Sequence, residues 1–245
     1  MAGSVTFPSG RPYGGRSPED RRADRRRKIL DAALDLYSST GYASTTITAL
    51  CHRANVSAVK FYEEFATQEE VIGVICAEIV VGAMTDVAAA IEGVEPDTEA
   101  VARAGLTAYC EYLLSDPRRA RVLYVEVVGI SSAVEAVRHD AMRTFADLTV
   151  GMYETNARKN GGEPVERTPR VRLIARTLVG ACTEGIVACM LDPDAFSVEQ
   201  LVDVLVPFYV AADEVITGAS YSAASKARKQ APKPAKKATP RKARA

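Results

Sequence analysis

The spacing of apolar residues between Ile29 and Phe65 constrains the fold of this chain more than any other feature. Ile29, Ala32, Ala33, Leu36 and Tyr37 fall at i, i+3, i+4, i+7 and i+8, with Leu30 beside them at i+1, which lines them along one stripe of a helix. Gly41 follows, able to take a left-handed conformation where that helix must end. Thr45 and Thr46 then offer hydroxyls to cap a second helix with Ile47, Leu50 and Ala54 on its buried face. Asn55 tolerates a tight turn, and Ser57 caps a third, short helix ending in Phe61 and Tyr62. The pattern predicts one long helix followed by two short helices joined across a tight turn.

The two short helices have the layout of a helix-turn-helix. In that motif the second helix lies in the DNA major groove with its N-terminal residues on base edges, here Ser57, Ala58, Val59 and Lys60. The stretch from about residue 26 to 75 resembles the N-terminal domain of the tetracycline-repressor (TetR) family. The resemblance rests on Ile29-Leu30, Ala32-Ala33, Leu36-Tyr37, Gly41-Tyr42, Thr45-Thr46, Val56-Ser57, Phe61-Tyr62 and Phe65. It implies that Thr46 and Tyr62 grip phosphates and that Ser57, Ala58 and Lys60 face bases or backbone, with Thr45 and Val59 in the same interface. The other reading of Tyr62 is a core aromatic, although Phe61 and Phe65 can fill the core without it.

Several residues depart from the family pattern. Val59 stands where glycine is frequent, Glu63 and Glu64 where polar or basic residues are common, and Gln68 where lysine is frequent. These changes remove positive charge near the expected phosphates, and phosphate neutralisation supplies much of DNA affinity. The run Arg21-Arg22 and Arg25-Arg26-Arg27-Lys28 is therefore expected to compensate, with Arg25, Arg26 and Arg27 contacting DNA from the flank, as basic arms do in the minor groove.

The balanced total of 31 basic and 31 acidic residues hides a strong polarity. Residues 1–28 hold eight basic and three acidic groups, residues 29–225 hold 14 and 28, and residues 226–245 hold nine and none. The last segment has no large apolar residue and is interrupted by prolines, so it cannot bury a core. The expected organisation is a disordered basic arm over 1–22, a helix-turn-helix domain over 23–66, a ligand-binding and dimerisation domain over 67–218, and a disordered Lys/Arg/Pro/Ala-rich tail over 219–245.

Helix signals recur beyond residue 66: Thr67 with Glu70, Pro96-Asp97, Asp116-Pro117, Ser132 with Glu135, Thr168-Pro169, and Ser197 with Gln200. With no strand alternation to compete, the fold class is all-α, about nine helices. No apolar run approaches the ~20 residues of a membrane span, and the stretch Val71–Met84 is interrupted by Glu78. The Arg-rich N-terminus lacks a signal-peptide core. Five cysteines without a C-x-x-C pair argue against a disulfide framework. The expectation is a reduced, cytoplasmic, nucleoid-associated protein without membrane contact.

The family resemblance also implies a ligand pocket among the middle helices and a homodimer interface on the last two. Tyr109, Tyr112, Phe145, Met152 and Thr183 are the chief pocket candidates, with Met190, Glu111, Glu126 and Glu184 behind them. The small apolar helix around Val179, Gly180, Thr183, Val187 and Met190, with the face Leu201, Val204, Leu205, Phe208 and Val215, supports dimerisation independently. An enzyme is disfavoured: His52 and His139 lack a paired nucleophile motif, the cysteines show no metal spacing, and no phosphate-binding glycine loop occurs. No catalytic residue, metal or cofactor is expected. The functional expectation is a dimeric repressor on a near-palindromic site in double-stranded DNA, released by a small apolar or amphipathic effector; the alternative is an architectural DNA-binding protein using its basic arm and tail.

Overall fold

Helices in this protein begin where the sequence supplies a cap. In the computed structural model, which describes residues 17–217, the Ser17 hydroxyl accepts from the Asp20 amide while the Asp20 carboxylate accepts from the Ser17 amide. That reciprocal box, with proline at the first helical position, starts α1 (Pro18–Thr40). Residues 18–22, expected in a disordered arm, are therefore helical; the rest of that arm and the tail from 219 lie outside the described residues. Thr46 caps α2 (Ile47–Ala54) and Ser57 caps α3 (Ala58–Tyr62), with Asn55 left-handed at φ 53° between them. Gly41 ends α1 at φ +92° but ψ 149°, an extended positive-φ shape rather than the left-handed helical one expected, and one that glycine adopts without a Cβ clash.

The remaining helices are α4 (Gln68–Ile91), α5 (Thr98–Leu114), α6 (Pro117–Arg121), α7 (Ser132–Lys159), α8 (Pro169–Leu191) and α9 (Val198–Thr217). The described residues thus form nine α-helices and no strand, the all-α architecture the pattern predicts. Thr67, Asp97, Asp116 and Thr168 act as caps, and Ser197 and Gln200 form a reciprocal box before α9. The cap of α7 is Ser131, one residue before the one expected, because Glu135 turns its carboxylate to the Gly129 amide. Between α6 and α7 the chain widens into a π-turn, Val122–Glu126.

One core runs through the molecule. Ile29, Leu30, Tyr37, Leu50, Phe61 and Phe65 are buried where α1, α2 and α3 meet, and the layer continues into Val71 and Ile72 of α4. Beyond it α4 packs on α5, α5 on α9, and α7 on α8. Contrary to the sequence reading, α4 and α8 are long and apolar enough to cross a membrane by length and composition, with 18-residue windows of mean hydropathy 2.0 and 1.5. Both are walls of the bundle, and burial of Ile72, Ile75, Ile79 and Val87 on α4 and of Val171, Leu178 and Ile186 on α8 uses that apolarity inside the fold.

Gly82 sets the approach of α4 and α5. A Cβ there would lie 2.0 Å from the Tyr112 hydroxyl and 2.5 Å from its ring, and the Arg119 guanidinium stacks over the same ring at 4.3 Å, so Tyr112 has little room to yield. We expect Gly82→Ala to destabilise the protein by about 1–3 kcal/mol from overpacking, partly offset by up to ~1 kcal/mol of helix propensity. Chemical denaturation measures this; a more stable variant contradicts it.

Candidate DNA interface and interior cavity

The turn between α2 and α3 presents a compact polar surface. Thr46 is exposed, its Oγ1 accepting from the Ala49 amide at 3.1 Å. Ser57 does the same for the Lys60 amide at 3.3 Å. Ser57, Ala58, Val59 and Lys60 all face solvent, Val59 being 71% exposed. Tyr62 is 57% exposed and meets Phe61 edge-on. Phe61 is fully buried, so Tyr62 is not the core aromatic of the bland reading. Thr45 differs from its neighbour: it is buried, and its hydroxyl donates to the Gly41 carbonyl at 2.8 Å. Its side chain holds the turn and is not open to a phosphate.

The arginines of α1 do something other than reach outward. The Glu64 side chain is only 1% exposed, with Arg22 Nε at 3.1 Å and Arg25 Nη2 at 2.5 Å from its oxygens. Arg26 donates to the Glu64 carbonyl and stacks over Phe65 at 4.3 Å. Arg27 pairs with Asp31 and with Glu78 of α4. Burial raises the Glu64 carboxyl pKa, but hydrogen bonds and charge from Arg25 and Arg22 outweigh it, so the net shift is downward. Glu64 is therefore not a negative charge facing phosphates, and Arg25, Arg26 and Arg27 are cross-braces of the domain rather than a free arm. Gln68 likewise donates to the Tyr42 carbonyl at 3.2 Å. Only Glu63 matches the expected acidic departure, and Lys60 holds it at 2.7 Å; such an exposed pair is worth about 0–1 kcal/mol, weak enough for a phosphate to compete.

A second site lies inside the bundle. Val87, Ala102, Gly105, Leu106, Tyr109, Phe145, Leu148, Thr149, Met152, Val179, Cys182 and Tyr209 line an apolar cavity of about 50 Å³. Tyr109, Phe145 and Met152 meet there as the sequence suggests, the first two edge-on at 4.8 Å. Tyr112 does not: it lies on the α4–α5 seam. Thr183 does not line the cavity either; its hydroxyl faces the Met142 sulfur at 3.8 Å. Glu126 serves the turn instead, and Glu111 and Glu184 are exposed. Thr149, Asn156 and Tyr209 were missed. Thr149 and Asn156 share the stripe Phe145, Thr149, Met152, Asn156 on α7, at i, i+4, i+7 and i+11, and two polar groups on an otherwise apolar stripe were the available signal.

The cavity wall is linked to the turn that ends α1. The Tyr109 and Tyr124 hydroxyls are hydrogen-bonded, and Tyr124 sits in the π-turn. From the same turn Glu126 Oε2 accepts from the Tyr42 amide at 2.9 Å, while its Oε1 accepts from Arg121 at 3.1 Å. Asp35 of α1 is gripped from both sides, by Arg53 of α2 and Arg118 of α6.

Two short capped helices with an exposed Ser57–Lys60 edge, braced on a longer α1, define a helix-turn-helix DNA-binding protein. Residues 29–74 match the family model described as bacterial regulatory proteins, tetR family, so this segment is a helix-turn-helix domain of that family's type. No curated protein matches it in sequence. Solved structures share the fold. A TetR-family regulator from Syntrophomonas wolfei is 17% identical with TM-score 0.65, covering 78% of this chain and 95% of its own. FadR from Bacillus subtilis, in complex with stearoyl-CoA, is 16% identical with TM-score 0.64, covering 76% and 98%. A TetR-like regulator from Rhodococcus sp. RHA1 is 21% identical with TM-score 0.58, covering 76% and 93%.

Proposed function

We propose that the protein is a dimeric repressor that binds a near-palindromic operator and releases it when an apolar or amphipathic small molecule enters the cavity between α5, α7 and α9. The observation that carries this reading is the connection from the cavity wall through Tyr109, Tyr124 and Glu126 to Tyr42, in the turn that joins α1 to the helix-turn-helix. A ligand that displaces Tyr109 strains the π-turn and with it the hold on Tyr42, next to the turn that ends α1. If it binds the displaced state better, it shifts the population away from the DNA-competent one. The likeness to FadR, solved with stearoyl-CoA, favours a long apolar body in the ligand. In this reading Thr46, Ser57, Lys60 and Tyr62 contact DNA, and α8 and α9 pair the subunits so that two α3 helices meet half-sites about 34 Å apart.

The test is selection of genomic fragments by the full-length protein, followed by operator binding against a panel of straight-chain amphiphiles. A shared palindrome, released by at least one amphiphile, is the expected result. Diffuse recovery with no common site overturns it in favour of an architectural role. Glu126→Ala removes a charge-assisted hydrogen bond worth about 1.5–3 kcal/mol. Because the variant lacks the hold on Tyr42 that ligand is proposed to loosen, operator affinity without ligand should fall and the further ligand-induced drop should shrink by about tenfold or more. Full ligand response in that variant rules out the path through the π-turn.

A further inference from the structure

The face that α3 turns outward is dominated by methyl groups. Phe61 and Phe65 are buried and fix which side of the helix meets the core, so Ala58, Val59 and Tyr62 face solvent. The polar side chains beside them are already engaged within the domain. Ser57 Oγ accepts from the Lys60 amide at 3.3 Å. The Lys60 ammonium donates to both oxygens of Glu63, at 2.7 and 2.8 Å, and Arg25 lies 3.6 Å from the same carboxylate. Glu63, the acid on this face that could accept from a cytosine amino group, is thereby occupied.

Val59 stands at the centre of this edge, between Ala58 and Lys60, and its side chain is the most exposed of the large apolar ones among the described residues, at 71%. A lone exposed valine on a protein surface needs no explanation. Val59 differs by its place, because these are the residues a helix-turn-helix lays against base edges. Its β-branch leaves one strongly preferred rotamer in a helix, so the two methyls are presented in a fixed direction. In the major groove the apolar mark on a base pair is the C5 methyl of thymine, which apolar side chains contact.

We propose that Val59 reads a thymine, packing its methyls on the C5 methyl of that base in each half-site, with the Ala58 methyl beside it. This rests on the operator-binding reading above and adds a base that the operator must carry. The contact takes apolar surface out of water. Cytosine in the same place has no methyl and turns its amino group toward the isopropyl, where it loses hydration without gaining a partner.

The experiment uses the full-length protein and a fragment obtained by genomic selection. Each thymine of the two half-sites is replaced in turn by deoxyuridine, which pairs identically and lacks only the C5 methyl. Fluorescence anisotropy at fixed salt reads the affinity. One thymine in each half-site should show a loss of about fourfold, the effect of one buried methyl-sized group, and the two together about 15-fold. Val59→Ala should bind the thymine and deoxyuridine forms within about twofold of each other, since the group that meets the methyl is gone. Its melting temperature should match the wild type, because the side chain is largely in water. Tyr62→Phe should weaken both forms alike and keep the discrimination, as expected for a phosphate contact. Sensitivity at no thymine, or discrimination that survives in Val59→Ala, overturns the assignment and leaves DNA binding standing; recovery of no shared site overturns both.

Discussion

Replacing Glu64 by alanine is expected to destabilise the protein by about 1.5–3 kcal/mol, the range for hydrogen bonds to a charged group. Glu64 is the hub on which Arg22 and Arg25 of α1 converge from above α3, so its loss takes the nearest carboxylate from the mostly buried Arg25, while Arg22 is already largely in water. The effect should exceed that of breaking an exposed pair such as Lys60–Glu63, where under 1 kcal/mol is expected. Denaturant unfolding followed by circular dichroism measures both. A pH series adds a signature: because the folded-state pKa of Glu64 is depressed, the unfolded chain binds the proton more readily. The contribution is fully present above the ordinary glutamate pKa of about 4.3 and is lost as pH falls through the lower folded value. A Glu64→Ala variant with near-native stability at pH 7, or with unchanged acid sensitivity, refutes the hub.

If α8 and α9 pair two subunits as proposed, Phe208→Glu is expected to convert the dimer to monomers. On α9, Val204, Phe208, Ala211 and Val215 fall at i, i+4, i+7 and i+11 and all face solvent, Phe208 being 56% exposed. On α8 an exposed line of Leu173, Thr177, Gly180, Glu184 and Leu191 lies on the outer side of the same helix pair, with open space above Gly180. An apolar stripe this long beside a helix stripped of bulk is the surface a two-fold interface uses, each residue meeting its own counterpart or a near neighbour. Removing a central aromatic and introducing two like charges should cost about 4 kcal/mol, raising the dimer dissociation constant about 10³-fold. Sedimentation should show a monomer and circular dichroism a near-native helix content, because Phe208 is more than half exposed, and operator binding should collapse with the loss of paired half-sites. A dimer that survives would place the interface elsewhere.

What the sequence made legible follows from which forces act locally. Caps, turns and the apolar period are short-range, so α2, α3 and their joining Asn55 could be read residue by residue, and the spacing Phe145–Met152 already pointed to one cavity wall. Long-range ion pairs could not be read. Glu64 and Arg25 are 39 positions apart, and only the fold shows that a glutamate in an apparently DNA-facing run is turned inward. The same holds for Tyr112, whose spacing on α5 resembles that of Tyr109 but which a glycine on α4 draws to the opposite side. Thr45 and Thr46 are adjacent and chemically identical, yet one hydroxyl closes a turn and the other caps a helix. Asn156 and Asp213, on different helices 57 positions apart, are joined only because Thr98 bridges them.

The π-turn at Val122–Glu126 holds one residue more than an α-turn in the same axial span. If that surplus residue were passed on and the segment relaxed to ordinary pitch, everything after it would rotate by about 100° around the helix axis. Glu126 would then face away from the Tyr42 amide without any helix having to swing as a rigid arm. In the release mechanism proposed above the turn would then work like an escapement, a single residue's advance setting down or picking up the hold on Tyr42.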